Sequence, residues 1–480
     1  MRELDTDVAI IGAGSAGLNA RREVERAGKR WLLIEAGSYG TTCARTGCMP
    51  SKLLIAAATT ARSARRAELF GVRIEASAVR IDGRAVLERV RRERDRFVHG
   101  IAGNVEALPS EQRLHGHARF VGPNELEIDG HTRVHAKAVV IATGSRPVVP
   151  APLLPLGAAL LTSDNLFDLP DLPESLAVFG TGAIGLELGQ ALTQLGVRVA
   201  FYNRSETVGP FSDPVVNMRY RELNASEFDL RTGVSVLEVK QLAAGVSIRH
   251  RDRAGREHES VFARVLAAAG RQPSLESLEL AASGLALDAN GQPSCDPRTM
   301  QCEGGAPIFL AGDANGARTL LHEAVDEGCL AGANAAHFPH VQSITRRVPL
   351  SIAFTHPQVA MLGANFQEAS QSAIVIGHSS YEDQGRARVQ AENHGEVRVY
   401  VERASHRLLG AELYGPDVEH TAHLLAWMVQ AKLPLNEVLR MPVYHPTVEE
   451  GIRTALRDAG DKLGLMRGCA PPDRGEAPGD

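Results

Sequence analysis

The stretch that decides the fold is VAIIGAGSAG, residues 8–17, near the start of the 480-residue chain. Its four leading apolar residues are typical of a strand buried on both faces. Gly12, Gly14 and Gly17 follow at the G-x-G-x-x-G spacing of a dinucleotide-binding turn. We therefore predict a strand, a glycine turn and a helix over residues 7–27, with a pyrophosphate at the helix N-terminus.

The residues after this turn strengthen the interpretation, since a lone glycine motif is a weak signal. A second apolar run, Trp31–Ile34, ends at Glu35. An acidic residue about 20 positions past the glycines is where such a unit binds an adenosine ribose hydroxyl. Glu35 is therefore predicted to contact the cofactor.

The same pattern occurs again in the middle of the chain. A second buried-type strand, Ser175–Phe179, leads into Gly180, Gly182 and Gly185 at the same spacing. Each glycine turn places one pyrophosphate at its helix N-terminus, so two turns imply two dinucleotides.

Two cysteines, Cys43 and Cys48, lie in TCARTGCMPSK, residues 42–52, just beyond the first unit. In a regular helix they would be roughly 8 Å apart, beyond the roughly 7 Å Cα limit for a disulfide. A disulfide therefore requires an irregular turn, which Gly47 permits and after which Pro50 can start a helix. Such a dithiol suggests electron transfer between a dinucleotide and sulfur. The alternative is two unrelated cysteines in a loop.

The cysteine segment resembles the active-site motif of the class I flavin pyridine nucleotide-disulfide oxidoreductases, which commonly have glycine at the position of Thr41. Its Pro-Ser-Lys ending is closest to the dihydrolipoamide dehydrogenases. The resemblance extends over nearly the whole chain. It implies an α/β fold with two Rossmann-like dinucleotide-binding domains, for FAD and for NAD(P), and a C-terminal α+β dimerisation domain.

The resemblance also implies domain boundaries. The FAD-binding domain is expected to comprise residues 1–148 and 272–346, separated by an NAD(P)-binding domain at 149–271. The interface domain is expected at 347–465. Residues 466–480, rich in Pro, Gly and Asp at their end, are expected to form a disordered tail.

The resemblance assigns roles around the dithiol. Cys43 is expected to be the thiol that exchanges with substrate, and Cys48 the thiol nearest the flavin. Lys52 and Glu187 are expected to form an ion pair near flavin N5. The alternatives are a helix-surface lysine and a first-turn acid favoured by the helix dipole.

A histidine near the C-terminus is a candidate base. His445 and Glu450 match the family motif H-P-T-x-x-E, whereas Val443 stands where a second histidine is common. Histidine can take a thiol proton and return it, and a carboxylate on its other ring nitrogen fixes the tautomer. Without that spacing, His445 would be interpreted as a turn residue. The resemblance implies that both residues act from the partner subunit of a homodimer.

Further cofactor contacts follow from the same resemblance. Thr143 and Gly144 stand in a segment like the family's Ala-Thr-Gly crossover between domains. Asp313 follows an apolar strand and corresponds to the aspartate that meets the flavin ribityl chain, although turn formation is its simpler role. Gly270 is assigned to the NAD(P) site.

The choice between NAD and NADP stays open. NAD-preferring relatives end the strand after the second glycine turn in Glu, but this chain has Asn203 followed by Arg204. Arginine binds a 2′-phosphate that a carboxylate would repel. Gly185, in contrast, is typical of NAD-type units.

Composition argues against several other classes. The net charge is −5 without a long block of like charges, so no nucleic-acid partner is predicted. Neither a leader peptide nor a membrane-length apolar run is visible, which predicts a soluble cytoplasmic protein. No metal site is predicted, and the four remaining cysteines are interpreted as buried or incidental thiols.

The predicted function is dihydrolipoyl dehydrogenase activity, in which dihydrolipoamide is oxidised through Cys43 and Cys48 and FAD to NAD(P)⁺. The alternative is an NADPH-dependent reductase of another small disulfide or related electron acceptor. A 2-oxoacid dehydrogenase complex is a candidate partner.

Overall fold

A computed structural model of the chain describes residues 1–75 and 78–465. The tail expected at 466–480, with Cys469, lies outside the described residues. Two mainly parallel sheets with flanking helices are followed by an antiparallel sheet with its own helices. The predicted fold class is therefore confirmed.

The first sheet is built around the first glycine turn. Its strands and the neighbouring helices are β1 (Arg2–Ile11), α1 (Ser15–Arg26), β2 (Trp31–Glu35), α2 (Thr42–Arg45), α3 (Cys48–Arg66), α4 (Gly83–Glu106), β3 (Arg113–His115), β4 (Ala118–Gly122), β5 (Glu125–Ile128), β6 (Thr132–Ile141) and β7 (Ser145–Pro147). Strands β3, β2, β1 and β6 are parallel neighbours, and β5 and β4 extend the sheet antiparallel.

The second sheet repeats the arrangement around the second glycine turn. Its elements are β8 (Leu160–Leu161), β9 (Ser175–Phe179), α5 (Ala183–Gln194), β10 (Arg198–Asn203), α6 (Pro214–Glu227), β11 (Asp229–Thr232), β12 (Ser235–Leu242), β13 (Gly245–Arg251), β14 (Glu257–Phe262), β15 (Arg264–Ala267) and β16 (Arg271–Pro273). The parallel order is β11-β10-β9-β15-β8, and β12, β13 and β14 form a separate antiparallel sheet. Strand β16 pairs with β7, which ties the two units together.

After the second unit the chain returns to the first sheet. Strand β17 (Ile308–Leu310) pairs in parallel with β6, and helix α7 (Leu321–His337) packs on α1. The helices approach closely at Gly328, where an added Cβ would lie 2.2 Å from the carbonyl oxygen of Ala16. Two distant parts of the chain therefore form one unit.

The last part of the chain forms an antiparallel sheet covered by helices. Its elements are β18 (Leu350–Ala353), β19 (Gln358–Gly363), α8 (Phe366–Ala369), β20 (Ile374–Ser380), α9 (Gly385–Val389), β21 (Glu396–Glu402), β22 (Leu408–Gly415), α10 (Val418–Gln430), α11 (Leu435–Val438) and α12 (Glu449–Lys462). The strand order is β18-β19-β22-β21-β20. Strand β20 alternates between partly exposed and buried residues, as expected for a strand with one face on a core.

The two glycine turns have the same backbone geometry. Gly12 has φ 110° and Gly180 has φ 118°, a left-handed region that disfavours side chains. A Cβ at Gly12 would lie 2.3 Å from the carbonyl oxygen of Ala142, and one at Gly180 would lie 2.2 Å from that of Ala268. Both conformation and space therefore require glycine at the two positions.

Helix α3 begins earlier than the sequence pattern indicated. Its first residue is Cys48 and its N-cap is Gly47, so Pro50 is the third helical residue rather than the first. The N–H groups of the first helical turn have no partner within the helix. Proline, which lacks an N–H, is therefore accommodated there without loss of a hydrogen bond.

Candidate functional site

A cavity of about 450 Å³ lies where the two parallel units and the C-terminal unit meet. Its volume is in the range of small-molecule and cofactor sites. Residues predicted from sequence that line it are Gly14, Cys43, Cys48, Lys52, Gly144, Glu187 and Asp313. The structure thus brings the dithiol, the first glycine turn and residues of the second unit to one cavity.

The dithiol lies where helices α2 and α3 meet. Both thiols are free, Cys43 half-buried and Cys48 exposed to the cavity. Gly47 breaks the helical path between them with φ −113° and ψ −116°. Thr41, which differs from the family's usual glycine, caps α2 by accepting a 3.3 Å hydrogen bond from the Ala44 N–H. A side-chain cap stabilises the turn that carries Cys43.

The pKa values of the two thiols are shifted in opposite directions. A hydrogen bond from Cys43 and the nearby Lys52 ammonium lower the pKa of Cys48 to about 6. The same hydrogen bond, together with burial, raises the pKa of Cys43. In the reduced pair Cys48 is therefore the thiolate and Cys43 keeps its proton at neutral pH.

A buried carboxylate orients the lysine beside the dithiol. Lys52 Nζ lies 2.8 Å from Glu187 Oε2. The other carboxylate oxygen, Oε1, accepts a 2.8 Å hydrogen bond from the Phe354 N–H. The Phe354 ring lies 4.4 Å from Lys52 Nζ, within the range of a cation–π contact. Sequence reasoning missed Phe354, because an apolar residue in the C-terminal unit carries no local signal of such a role.

A polar chain connects Asp313 and Arg271, two residues that line the cavity. Ser145 Oγ donates a 2.6 Å hydrogen bond to Asp313 Oδ2 and accepts one of 2.8 Å from Arg271 Nε. Gly144, with φ 69°, turns the backbone just before this serine. Sequence reasoning missed Ser145 and Arg271. Ser145 directly follows the predicted Gly144, whereas Arg271 carried no motif.

The first glycine turn leaves open space toward the cavity. Gly14 is the N-cap of α1, and no atom of the described residues lies within 4 Å of a Cβ added there. Glu35 is fixed beside the turn by accepting hydrogen bonds from the Ala13 N–H at 2.7 Å and the Gly37 N–H at 2.8 Å. In contrast, a Cβ at Gly17 would lie 1.8 Å from the Gly12 carbonyl oxygen. The turn therefore packs tightly on its protein side and stays open on its cavity side.

The second glycine turn has the same open N-cap. A Cβ added at Gly182 would have no atom within 4 Å in the part of the chain that the structure describes, and Gly185 packs against the Gly180 carbonyl. Gly270, with φ 114°, lies just beyond β15, and its carbonyl accepts a 2.9 Å hydrogen bond from the Val148 N–H.

The two residues at the end of β10, Asn203 and Arg204, differ in the contacts that their side chains make. Asn203 Nδ2 donates hydrogen bonds to Thr181 Oγ1 at 2.6 Å and to the Thr207 carbonyl at 2.8 Å. Arg204 is exposed, and its guanidinium has no ion pair or hydrogen bond within the part of the chain that the structure describes. Asn203 thus shapes the loop, while Arg204 stays available to an anion.

The candidate base lies apart from the dithiol. His445 Nδ1 and Glu450 Oε1 are 2.9 Å apart, Glu450 is buried, and the histidine side chain is 54% exposed. The Thr447 N–H donates a 3.2 Å hydrogen bond to the other carboxylate oxygen. Neither His445 nor Glu450 lines the cavity that holds Cys43. Within one chain the structure therefore forms the pair but does not bring it to the sulfur.

The cavity residues fit a flavin dinucleotide. The open N-cap at Gly14 suits a pyrophosphate, and the buried Thr143 Oγ1 has no hydrogen-bond partner among the described residues. Residues 1–75 and 78–465 contain no cluster of histidine, cysteine or acidic side chains that could hold a metal ion. Among the described helices, none combines the length and apolarity needed to cross a membrane.

Comparison with protein-family models gives two matches that together cover most of the chain. Residues 6–328 match the pyridine nucleotide-disulphide oxidoreductase model. Residues 349–456 match the dimerisation domain of the same family.

Curated relatives match over nearly their full length. The chain is 28% identical to dihydrolipoyl dehydrogenase of Bacillus subtilis, covering 94% of this chain and 97% of the relative. It is 29% identical to mycothione reductase of Mycobacterium tuberculosis, covering 94% of this chain and 98% of the relative.

Solved structures share the fold. LpdA from Mycobacterium tuberculosis superposes with a TM-score of 0.80 at 24% identity, covering 94% of this chain and 99% of that one. The Cu(II) complex of the HOCl-induced flavoprotein disulfide reductase RclA from Escherichia coli gives 0.80 at 22% identity, covering 96% of this chain and all of that one.

Proposed function

Because the chain belongs to the pyridine nucleotide-disulphide oxidoreductase family, whose members use FAD and NAD(P)H, we propose that it is a dihydrolipoyl dehydrogenase. The observation that carries this proposal is the Cys43–Cys48 dithiol in a cavity shared with Lys52 and Glu187. The curated dihydrolipoyl dehydrogenases support the choice of substrate.

The oxidised form of the dithiol accepts electrons by thiol exchange. A thiolate of the substrate dithiol attacks Cys43, and Cys48 leaves as a thiolate, which its low pKa favours. The second substrate thiolate then attacks the sulfur of the substrate in the mixed disulfide, which releases the cyclic disulfide and the Cys43 thiol. FAD, when bound, would supply the two-electron acceptor beside Cys48 and the hydride for NAD(P)⁺. The Cys43–Cys48 disulfide would re-form as the Cys48 thiolate gives up its electron pair.

The chain's charged residues control this exchange. Lys52 stabilises negative charge at Cys48, and Glu187 with Phe354 fixes the direction of the lysine. His445 takes one proton from the substrate dithiol at a time and returns one to Cys43 as that thiol is released. Glu450 orients the ring and stabilises its protonated form. Since the pair does not line the cavity of its own chain, it acts on the partner subunit's dithiol in a homodimer.

The glycine turns and the polar chain of the cavity bind the cofactors. Gly14 would hold the FAD pyrophosphate, Glu35 its ribose and Asp313 its ribityl chain, with Gly12, Gly17, Thr143 and Gly144 in the surrounding backbone. Gly182 would hold the pyrophosphate of the nicotinamide coenzyme, with Gly180, Gly185 and Gly270 around it. The substrate's lipoyl group would be presented by a 2-oxoacid dehydrogenase complex.

A second candidate is an NADPH-dependent reductase of another small disulfide or related electron acceptor. The exposed and unengaged Arg204 favours it, because a guanidinium suits a 2′-phosphate. Val443, at the position of a common family histidine, and the mycothione reductase relative also favour it.

An anaerobic titration of the flavin-loaded enzyme with dihydrolipoamide tests the two candidates. The dehydrogenase predicts a long-wavelength thiolate–flavin absorbance that NAD⁺ or NADP⁺ removes. A band that appears with NADPH and not with dihydrolipoamide would support the second candidate instead. Cys48→Ser is the control, since it retains the cavity and lacks the thiolate.

A further inference from the structure

Two cysteines outside the cavity face each other across a short antiparallel bridge. The bridge pairs Cys295 with Cys302. On either side of it, the N–H groups of Asp296 and Glu303 each donate a 2.9 Å hydrogen bond to the opposite segment. The cysteines thus occupy the position between two ladder bonds, the non-hydrogen-bonded pair of an antiparallel ladder.

This position suits a disulfide. Directly opposite residues of that kind have Cα atoms about 4.5 Å apart and side chains on the same face. Disulfides span Cα separations of about 4.4 to 6.8 Å. We infer that Cys295 and Cys302 form a second, non-catalytic disulfide, which the sequence pattern alone did not suggest.

The Cys295–Cys302 pair differs from the catalytic dithiol in its burial, its thiol pKa values and its position relative to the cavity. Cys302 is 2% exposed and lies in the core with Ile308 and Leu310, while Cys295 is partly exposed. Burial raises the pKa of Cys295 to about 11 and that of Cys302 to about 12. Neither cysteine lines the cavity with Cys48. The reduced pair is therefore mostly protonated at neutral pH, and it lies outside the cavity that holds the catalytic dithiol.

A small organic disulfide supplies the oxidising equivalents. The more accessible Cys295 thiolate attacks it, forming a mixed disulfide and releasing one small thiol. The Cys302 thiolate then attacks Cys295, forming the protein disulfide and releasing the second small thiol. Two protein thiols and one disulfide thus give one protein disulfide and two small thiols, with the two protein protons carried away on the products.

The disulfide would stabilise the segment that pairs with β17, the strand that leads to the cavity. The Cys302 N–H donates a 2.8 Å hydrogen bond to the Ile308 carbonyl, and the Leu310 N–H donates one of 2.9 Å to the Met300 carbonyl. Strand β17 ends at Leu310, shortly before Asp313. Closing the loop from Cys295 to Cys302 therefore fixes the segment against which β17 lies, and constrains the unfolded chain.

Peptide mapping tests the inference directly. The purified flavoprotein is incubated with oxidised glutathione, blocked with iodoacetamide in denaturant and cleaved with trypsin. Cleavage after Arg298 places the two cysteines in different peptides, residues 272–298 and 299–318. We expect these peptides to be joined by a disulfide. Recovery of both in separately alkylated form overturns the inference.

Thiol counts give an independent readout. The chain has six cysteines, so two disulfides leave two free thiols in the oxidised, denatured wild type, whereas the catalytic disulfide alone leaves four. Cys329→Ser is the matched control and should leave one thiol. Cys295→Ser should leave three although it has one cysteine fewer than the wild type. Four thiols in the wild type overturn the inference.

Two further measurements test the non-catalytic role. Anaerobic NADPH or NADH should release the catalytic thiols and leave the joined peptides intact; loss of the joined peptides would show that the pair belongs to the electron path. A phosphine reductant should lower the thermal unfolding midpoint of the wild type by a few degrees more than that of Cys295→Ser, and equal shifts contradict a stabilising bridge.

Discussion

Lys52 and Glu187 form a 2.8 Å ion pair that joins helix α3, which begins at Cys48, to helix α5 of the second glycine unit. Glu187 is buried, and its second oxygen accepts the Phe354 N–H from the C-terminal unit. Three parts of the chain therefore set the position of one ammonium group beside the dithiol. From this fixed position, the charge of Lys52 lowers the pKa of Cys48.

We predict that Lys52→Met and Glu187→Gln shift the pKa of Cys48 in opposite directions. The lysine lowers this pKa and the glutamate raises it, so Lys52→Met should raise it and Glu187→Gln should lower it. The measurement is the pH dependence of the thiolate–flavin absorbance in the reduced enzyme, where the wild-type band should fade as pH falls through about 6. A shift in the same direction for both variants would indicate general disturbance of the site.

Removal of the Cys43 thiol should also raise the pKa of Cys48, because the hydrogen bond from Cys43 is the largest cause of its lowering. Cys43→Ala loses the donor, whereas Cys43→Ser keeps a hydroxyl that can replace it. We therefore expect the band of Cys43→Ala to titrate at higher pH than that of Cys43→Ser. Identical titration of the two variants would contradict a hydrogen-bonded thiolate.

The depressed pKa of Cys48 predicts a pH-dependent stability. Its folded value of about 6 lies below the ordinary value of 9.0, so the folded reduced protein favours the thiolate. This contribution is complete above about pH 9 and is lost as pH falls through about 6. In reducing conditions the unfolding midpoint of the wild type, relative to Cys48→Ser, should rise from pH 6 to pH 9. A constant difference across that range would contradict it.

Alanine substitutions at the two open N-caps, Gly14 and Gly182, should each weaken the binding of one cofactor only. Among residues 1–75 and 78–465, no atom lies within 4 Å of a Cβ at Gly14 or at Gly182, so either variant should fold with a cost of about 1 kcal/mol or less. Gly14→Ala should purify with reduced flavin content. Gly182→Ala should keep its flavin and show a raised KM for the nicotinamide coenzyme. Each variant is the control for the other, and loss of flavin in both would indicate misfolding.

The glycine units could be predicted because their signals are local. A buried strand, three glycines and an acid lie within about thirty residues, and each reports a backbone or ligand requirement of its own turn. The N–H of Phe354 reaches Glu187 across 167 positions, and nothing in the surrounding apolar residues indicates which carboxylate it meets. The bridge between Cys295 and Cys302 lies outside the named strands, so no alternation of apolar and polar residues predicted it from the sequence.

Arg204 should determine the preference for a phosphorylated coenzyme. Arg204→Glu replaces an unengaged guanidinium with a carboxylate that repels a 2′-phosphate. We expect kcat/KM for NADPH to fall roughly 10- to 100-fold, the equivalent of one charged hydrogen bond, with little loss for NADH. Lys240→Glu makes the same charge change at an exposed site on β12 and should leave the ratio unchanged. Equal effects of the two variants would mean that only net charge matters.

Mixed dimers should show that His445 serves the dithiol of the partner subunit. His445→Gln should lose about 10²- to 10⁴-fold in dithiol oxidation, and Cys43→Ser should lose the exchange thiol outright. If each site combines the dithiol of one chain with the histidine of the other, a hybrid of the two variants contains one site with both defects and one intact site.

Co-expression of the two variants with different affinity tags isolates that hybrid. We expect it to recover about half of the wild-type activity per dimer, while each parent dimer stays inactive. His99→Gln, an exposed histidine on α4, is the control and should keep full activity in its own dimer. An inactive hybrid that still carries flavin would place His445 at the dithiol of its own chain, against the separation of the two groups seen in the structure.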